Sequence, residues 1–141
     1  MKKLTLKVVC NNDRLFWSGR MLVRTVYSSA WKTEPGNLSD DYEFAVLVCD
    51  SDEVLGNLNI KLRTADNLLP SEKYFRHRHW ESQCVAEARH VAELCSLAVC
   101  DSLSNRVRIQ VFNGLILGSH LLAMHQDIRV YATVQRTSLI N

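Results

Sequence analysis

The 141-residue sequence predicts an α/β domain in which helices flank a mixed, largely antiparallel sheet of about five strands. The first observation behind this prediction is a series of short segments in which apolar and polar residues alternate, as in half-buried strands. The second is a pair of longer segments in which apolar residues recur every three or four positions, as in amphipathic helices. The predicted order is β–α–β–β–short helix–β–α–β, and we expect one domain over residues 1–141.

The N-terminal part is predicted to form a strand and a helix. Residues 4–9 alternate in the manner of a strand, and residues 11–13 (Asn-Asn-Asp) offer side chains that can cap a following helix. Residues 14–30 form that helix, although Gly19 interrupts it, and residues 31–41 contain the turn formers of a loop. The apolar stripe of the helix is centred on Leu15, Leu22 and Val26, with Phe16 and Val23 nearby.

The middle of the chain predicts an antiparallel hairpin. Residues 41–50 are rich in Val and aromatic residues, residues 54–64 alternate, and a short polar turn joins the two segments. The alternation slips at Gly56, where we expect a β-bulge or a close approach of another part of the fold to the backbone. Residues 65–75 then form a polar turn and a short amphipathic helix.

Residues 91–99 (Val-Ala-Glu-Leu-Cys-Ser-Leu-Ala-Val) can be interpreted in two ways. Together with the preceding residues they show helical spacing, but alone they alternate as a strand. The strand is favoured because a loop at 100–105, a helix at 106–125 and a strand at 128–135 would then complete a βαβ crossover. One face of that strand would carry Val91, Glu93, Cys95, Leu97 and Val99.

The helix predicted at 106–125 has a core line formed by Val107, Val111, Leu115 and Leu122. It contains the longest apolar region of the chain, residues 107–124, which Arg108 and other polar residues interrupt. We expect this region to be too short and too polar to span a membrane. No N-terminal apolar run is long enough for a secretory signal.

Composition excludes several classes of function. A net charge of +2 without a concentrated basic face does not favour nucleic-acid binding. Five cysteines without a C-x-x-C pair, most of them in apolar stretches, indicate a reduced, cytoplasmic chain.

Residues 76–80 (Arg-His-Arg-His-Trp) allow three functional interpretations beside that of a solvated loop. His77 and His79 could bind a metal, but no nearby third ligand completes a site, so no metal is expected. The arginines and Trp80 could contact nucleic acid, or the basic patch could dock an acidic acyl carrier protein. The solvated loop is favoured.

The sequence resembles the GNAT-type N-acyltransferases, in particular the branch of acyl-homoserine-lactone synthases and long-chain N-acyl amino acid synthases. The resemblance is carried by a strand with Gly56, the Leu-Leu-Pro turn at 68–70 followed by Phe75, and the strand segment 93–99. The acidic segment 40–44 (Asp-Asp-Tyr-Glu-Phe) also matches that branch. The resemblance extends from about residue 20 to the C-terminus.

The resemblance implies transfer of an acyl group from a thioester to an amine, with no tightly bound cofactor. The donor would be acyl-CoA or the acyl-phosphopantetheine of a carrier protein. In this interpretation backbone N–H groups of Leu97 and Val99 stabilise the oxyanion, and Glu93 is the general base. Apolar strand neighbours would make the carboxylate more basic. The alternatives are a solvated charge at Glu93 and, for Cys95, an acyl-accepting nucleophile, although a buried small hydrophobe is favoured there.

The phosphates of a donor would bind at the start of the predicted 106–125 helix. Free N–H groups at a helix N-terminus attract phosphate, and nearby arginines strengthen that attraction. An ordinary helix cap with solvated arginines is the alternative. The residues implied are Ser102, Ser104, Asn105, Arg106 and Arg108.

Three departures from the family pattern bear on function. Ser96 occupies the position of the family's strand arginine, and the acetyl-CoA loop pattern is absent at 101–108, which fits the carrier-protein branch. The family's additional C-terminal helix and two strands are also missing, which predicts a truncated relative or a homodimer whose second chain completes the site. The chain could therefore be an inactive acyl- or partner-binding module, or an interaction module that dimerises through its last strand at 128–135.

Overall fold

The computed structural model describes residues 3–32, 38–75, 80 and 86–134. Five strands form one sheet in sequence order; the first four are antiparallel and the last pair is parallel. This confirms the predicted mixed, largely antiparallel sheet. The elements are β1 (Leu4–Cys10), α1 (Arg14–Trp31), β2 (Phe44–Asp50), β3 (Glu53–Leu62), α2 (Pro70–Phe75), β4 (Val91–Val99), α3 (Asn105–Gln126) and β5 (Val130–Thr133).

The ambiguous segment Val91–Val99 is a strand, β4. It pairs with β3 on one side and with β5 on the other, and α3 is the crossover that returns the chain to the sheet. Only Ala88–His90, immediately before it, is helical, as a single 3₁₀ turn. Hydrogen bonding to two neighbouring strands therefore overrides the helical spacing of the apolar residues.

Helices cover both faces of the sheet. On one face, α3 packs on a core formed by β2 and β3; on the other, α1 packs on a second core. The central strands are buried on both faces, which explains their nearly continuous apolar composition. The first core includes Val46, Val48, Leu58, Ile60, Val111, Leu115 and Leu122; the second includes Phe16, Tyr42, Ala45, Leu47 and Cys49.

The buried face of α1 differs from the predicted stripe. Leu15 is only half-buried, whereas Phe16, Arg20 and Val23 are fully buried. The helix is thus rotated relative to the prediction, and a charged residue occupies the middle of its inner face. The predicted cap is confirmed, since the Asp13 side chain accepts a hydrogen bond from the backbone N–H of Leu15 at 2.8 Å.

The irregularity predicted at Gly56 is confirmed. The register of the β2–β3 hairpin shifts next to Gly56, and a Cβ atom there would collide with the Val111 side chain of α3. A glycine at this position lets α3 lie directly on the sheet. The predicted core line of α3 is also confirmed for Val111, Leu115 and Leu122.

The expected shortness and polarity of the α3 region are not found, although the core helix of a soluble protein can be equally long and apolar, so the absence of a membrane span stays a prediction. Helix α3 has 22 residues and a mean hydropathy of 1.3 in its most apolar window, enough to cross a membrane by length and composition. The helix is so apolar because its inner face packs on the sheet while its outer face carries further apolar residues.

The predicted solvated loop at 76–80 is corrected at one position. Trp80 is buried and belongs to a small core with Leu69, Ala86 and Val91. This packing is incompatible with base stacking by the indole ring. His77 and His79 lie outside the described residues.

Candidate active site

Strands β4 and β5 pair only along the first half of β4. They pair from Val91 opposite Val130 to Leu94 opposite Thr133, where β5 ends. Strand β4 continues to Val99. In the described part of the chain, the edge of β4 beyond Leu94 therefore has no neighbouring strand; we call this unpaired edge the opening and this part of β4 its open half.

A β-bulge lies in this unpaired half of β4. Asn59 is opposite Cys95 but Asn57 is opposite Ala98, so β4 has one residue more than β3 over this interval. Ser96 adopts a left-handed conformation with φ of 52°. A non-glycine residue in that conformation is strained, which is typical of functional sites.

The bulge reverses the side-chain alternation of β4. Before it, Ala92 and Leu94 pack in the core under α3; after it, Val99 packs in that same core. The prediction that Glu93 and Val99 share a face is therefore wrong. Side chains of a strand alternate between the two faces of the sheet. One inserted residue therefore places every later side chain on the face opposite to the one that regular alternation predicts.

The backbone of Leu97 and Val99 is directed toward the opening. The N–H of Cys100 donates to the carbonyl oxygen of Leu55 in β3 at 2.8 Å. Since successive backbone groups in a strand point to opposite edges, the N–H groups of Val99 and Leu97 point away from β3. The carbonyl oxygen of Leu97 accepts a hydrogen bond from the Tyr27 hydroxyl of α1 at 3.1 Å.

Glu93 lies in the paired half of β4 and is only 3% exposed. Its Oε2 atom accepts a hydrogen bond from the backbone N–H of Ser71 in α2 at 2.9 Å. Burial rules out the alternative that this residue is a solvated charge. Among the described residues the carboxylate forms no ion pair, and its one hydrogen bond comes from the backbone.

A second buried carboxylate nearby provides a contrast. Glu72 of α2 is 1% exposed, and its Oε1 atom accepts from Arg63 Nε at 2.7 Å and from the backbone N–H of Leu69 at 3.2 Å. A guanidinium thus compensates the charge of Glu72. Glu93 has no such cation within the described residues, which makes it the better candidate for a proton acceptor.

A buried polar network below α1 was not predicted from the sequence. Arg20 is fully buried and donates to Asp40 at 2.8 Å, to Asn59 Oδ1 at 2.7 Å and to the carbonyl oxygen of Ser39 at 2.5 Å. Burial would raise the pKa of Asp40, but hydrogen bonds from Arg20 and Arg24 outweigh that effect and hold the pKa below its ordinary value.

This network reaches the bulge through two asparagines of β3. The Asn57 side-chain amide donates to Asn59 Oδ1 at 2.7 Å and to the carbonyl oxygen of Ser96 at 3.0 Å. The Ser96 hydroxyl also lies within 3.4 Å of the Tyr42 hydroxyl. These contacts hold the strained residue from two sides. A signal was present in the sequence, since Asn57, Asn59 and Lys61 share one face of a strand that a helix covers.

Hydroxyl and thiol groups around the bulge stay protonated near neutral pH. Burial raises the pKa of Tyr27 to about 12 and also raises the pKa of Tyr42. Burial, with the nearby Glu93 carboxylate as a smaller cause, raises the pKa of Cys95 to about 12. This protonated thiol fits the expected small hydrophobe and is unsuited to nucleophilic catalysis.

The residues predicted to bind phosphate gather at the start of α3, directly after the open half of β4. Ser104 caps the helix by accepting from the Val107 N–H at 3.4 Å, and Ser102 Oγ lies 3.1 Å from Cys100 Sγ. Asn105 begins the helix, and Arg106 and Arg108 are exposed in its first turn. Within residues 3–32, 38–75, 80 and 86–134, no group of three or more His, Cys, Asp or Glu could hold a metal ion.

By sequence, the chain matches no protein-family model and no curated protein. By structure, it is similar to FeeM, an N-acyl amino acid synthase from uncultured soil microbes. The TM-score is 0.63 at 16% identity, over 98% of this chain and 74% of that chain. It is also similar to the acyl-homoserine-lactone synthase LasI, with a TM-score of 0.61 at 15% identity over 99% of this chain and 76% of the other.

A third similar structure is the aminoglycoside N-acetyltransferase AAC(6')-Iy in complex with CoA. Its TM-score is 0.58 at 12% identity, over 99% of this chain and 82% of that chain. At such low identity these similarities define the fold but not the branch. The chain therefore has a GNAT-like α/β fold.

Proposed function

We propose that this protein transfers an acyl group from an acyl thioester to an amine. The observation that carries the proposal is the bulged half of β4 that no described strand pairs with, on the same strand as Glu93, a buried carboxylate with no cation among the described residues. Backbone donors and a carboxylate are the two elements that thioester aminolysis requires.

In the proposed reaction the thioester carbonyl lies in the opening and accepts hydrogen bonds from the N–H groups of Leu97 and Val99. The amine nitrogen attacks the carbonyl carbon, and these donors stabilise the negative charge that develops on the oxygen. The C–S bond then breaks, and the released thiolate takes up a proton. Fixing both reactants along one strand supplies the orientation that the reaction needs.

Glu93 would accept the proton that the amine loses. Leu97 is four positions further along the chain, which corresponds to about 13 Å along a strand. The proton would therefore reach the carboxylate through water rather than directly. Glu93 is suited to this role by its position, because its buried carboxylate lies on the strand that supplies the backbone donors and forms no ion pair with any described residue.

The donor in this proposal is acyl-CoA or the acyl-phosphopantetheine of an acyl carrier protein. Its phosphates would bind at the start of α3, where the chain leaves the open half of β4. Uncompensated N–H groups and the exposed Arg106 and Arg108 provide positive potential there. The similarity to an acetyltransferase solved with CoA supports this donor class.

Thiol release from a series of acyl-CoA donors, measured with a thiol-reactive dye and a panel of amines, tests the proposal. Glu93→Gln is expected to reduce turnover by roughly 10²–10⁴-fold, the usual contribution of a general base. Glu53→Gln is the matched control, because Glu53 is an exposed glutamate of the neighbouring strand β3. Absence of thioester turnover with any donor, or equal activity of Glu93→Gln and wild type, would contradict the proposal.

A second candidate function is binding of an acyl group or a partner without turnover. It is favoured by the hydrogen bond between Glu93 and the Ser71 N–H, which gives the carboxylate a structural task in holding α2. Serine at position 96, instead of the family's arginine, also favours binding without turnover. Binding of a non-hydrolysable acyl thioether analogue without turnover of the thioester would establish this alternative.

A further inference from the structure

The outer face of α3 carries an exposed apolar stripe. Six large apolar side chains there are each between 41% and 79% exposed. They are half of the exposed large apolar residues in the part of the chain that the structure describes. So much apolar surface on one helix face marks an interaction surface. We call this set the outer stripe; it consists of Ile109, Phe112, Ile116, Leu117, Leu121 and Met124.

The outer stripe is symmetric about its own midpoint, which lies between Ile116 and Leu117. Ile109 and Met124 are equally far from this midpoint, and so are Phe112 and Leu121. Asn113 and His120 follow the same symmetry, whereas the exposed Gln110 has Ala123 at its symmetric position. When two copies of a helix pack antiparallel, such symmetric positions come to the same level across the interface.

The charges at the two ends of α3 are complementary under the same symmetry. Arg106 in the first turn and Asp127 at the C-cap are equally far from the midpoint. The helix itself contains no Asp or Glu. In an antiparallel pair, each Arg106 would therefore meet the partner's Asp127 and the negative end of the partner's helix dipole.

Asp127 has room for that contact. Its side chain is 69% exposed although it lies 3.5 Å from Arg129 and 3.2 Å from His90. A cavity of about 330 Å³ opens at this end of α3, with His120, Met124 and Asp127 in its lining. A guanidinium from the partner helix could enter it.

We infer that α3 is a self-association surface, through which two copies of this chain form a two-fold symmetric, antiparallel helix pair. Isologous pairing is the commonest form of homodimer. Each side chain of the outer stripe exposes on the order of 100 Å², so the stripe and its flanks approach the roughly 800 Å² per partner of a standard interface. Asn113 and His120, level with each other across the axis, fit a protein partner better than a lipid surface.

Multi-angle light scattering coupled to size exclusion, over a range of protein concentrations, tests this inference. Wild type is expected to dimerise. Leu117→Glu places two negative charges, one from each copy, beside the two-fold axis of the dimer. It is expected to give a monomer whose circular dichroism matches that of wild type. Met21→Glu is the control, because Met21 is similarly exposed (61% against 56% for Leu117) but lies on α1. It should remain dimeric.

A charge exchange tests the orientation of the two helices. Arg106→Glu is expected to weaken the dimer at least tenfold, and Arg106→Glu combined with Asp127→Lys to restore it. Lysine at position 127 must be left-handed, a conformation that Lys32 already adopts at the C-cap of α1 with φ of 52°. Absence of restoration would exclude the antiparallel register.

Three outcomes would overturn the inference. The first is a wild-type protein that stays monomeric at every concentration. The second is a dimer that survives Leu117→Glu, which would move the interface elsewhere, for example to the edge of β5. The third is a monomer that sediments with anionic phospholipid vesicles unless Leu117 is changed to Glu, which would assign the outer stripe to a lipid surface.

Discussion

Glu93 of β4 lies directly opposite Lys61 of β3 in the sheet register, yet the two side chains do not form an ion pair. The Lys61 amine lies 3.1 Å from Glu43 and 3.2 Å from Asp41 instead. Burial would lower the pKa of Lys61, but its hydrogen bonds to these two carboxylates outweigh that effect and raise it. Lys61 thus forms its ion pairs with Glu43 and Asp41, and no other described residue supplies a cation to Glu93.

Glu93→Gln is therefore expected to abolish most of the activity without lowering the stability of the fold. The amide oxygen of glutamine can still accept from the Ser71 N–H, while the buried charge disappears. We expect an unchanged or raised free energy of unfolding in urea, together with the loss of turnover that removal of a general base causes. A large loss of stability with full activity would show that the carboxylate only holds α2.

The left-handed conformation of Ser96 predicts how substitutions there affect stability. Ser96→Gly should stabilise the protein by about 0.5–1 kcal/mol, because glycine adopts a φ of 52° without strain. Ser96→Val should destabilise it by about 1–2 kcal/mol relative to Ser96→Ala, which also lacks the hydroxyl contact with Tyr42. Urea unfolding measures all three variants. Equal stability of the Val and Ala variants would contradict the assigned backbone conformation.

Arg20 is expected to be the more important of the two arginines that contact Asp40. Arg20→Met removes three hydrogen bonds from a buried charged donor, to Asp40, Asn59 Oδ1 and the Ser39 carbonyl oxygen, and we expect a loss of about 3–5 kcal/mol in the free energy of unfolding. Arg24→Met is the matched control, because Arg24 also contacts Asp40 but its side chain is 24% exposed. Its effect should be at most about 1 kcal/mol. Comparable losses in the two variants would argue against a special role for the buried arginine.

Asp40 also gives a pH dependence with a definite sign. Its pKa in the folded protein lies below the ordinary value of 3.8, so its contribution to stability is present above pH 3.8 and is lost as the pH falls through the folded value. The stability difference between wild type and Asp40→Asn should therefore be constant near neutral pH and shrink in acid. Urea titrations of both proteins measure this difference. A difference that grows as the pH falls would mean that the pKa is raised instead.

Much of the architecture could be predicted because it depends on local patterns. The strand at Val91–Val99 follows from its position between a hairpin and a crossover helix, even though its apolar residues also fit a helix. The irregularity at Gly56 could be predicted because a glycine within an alternating segment is typical of a bulge or of a close approach to the backbone.

The interior of the site could not be predicted in the same way. The position of Arg20 in the middle of the inner face of α1 depends on Asp40, Ser39 and Asn59, which are distant in sequence and come together only in the fold. A charged residue within a helix is predicted to lie at the surface unless its ion-pair and hydrogen-bond partners are known. The bulge at Ser96 is equally hidden, because serine gives no signal for a left-handed backbone.

The extra residue at the bulge changes which positions of β4 face α3. Even-numbered residues face it before the bulge, and odd-numbered residues face it after the bulge. Odd-numbered positions face away from α3 up to Cys95, whereas the odd-numbered Val99 faces it. Deleting Ser96 would remove the strain and restore regular pairing with β3, with Leu97 opposite Leu58 and Val99 still opposite Gly56 in its core. Insertion of a further residue between Cys95 and Ala98 should thus be far more damaging than this deletion, because an additional residue would exchange the two faces of everything that follows in the strand.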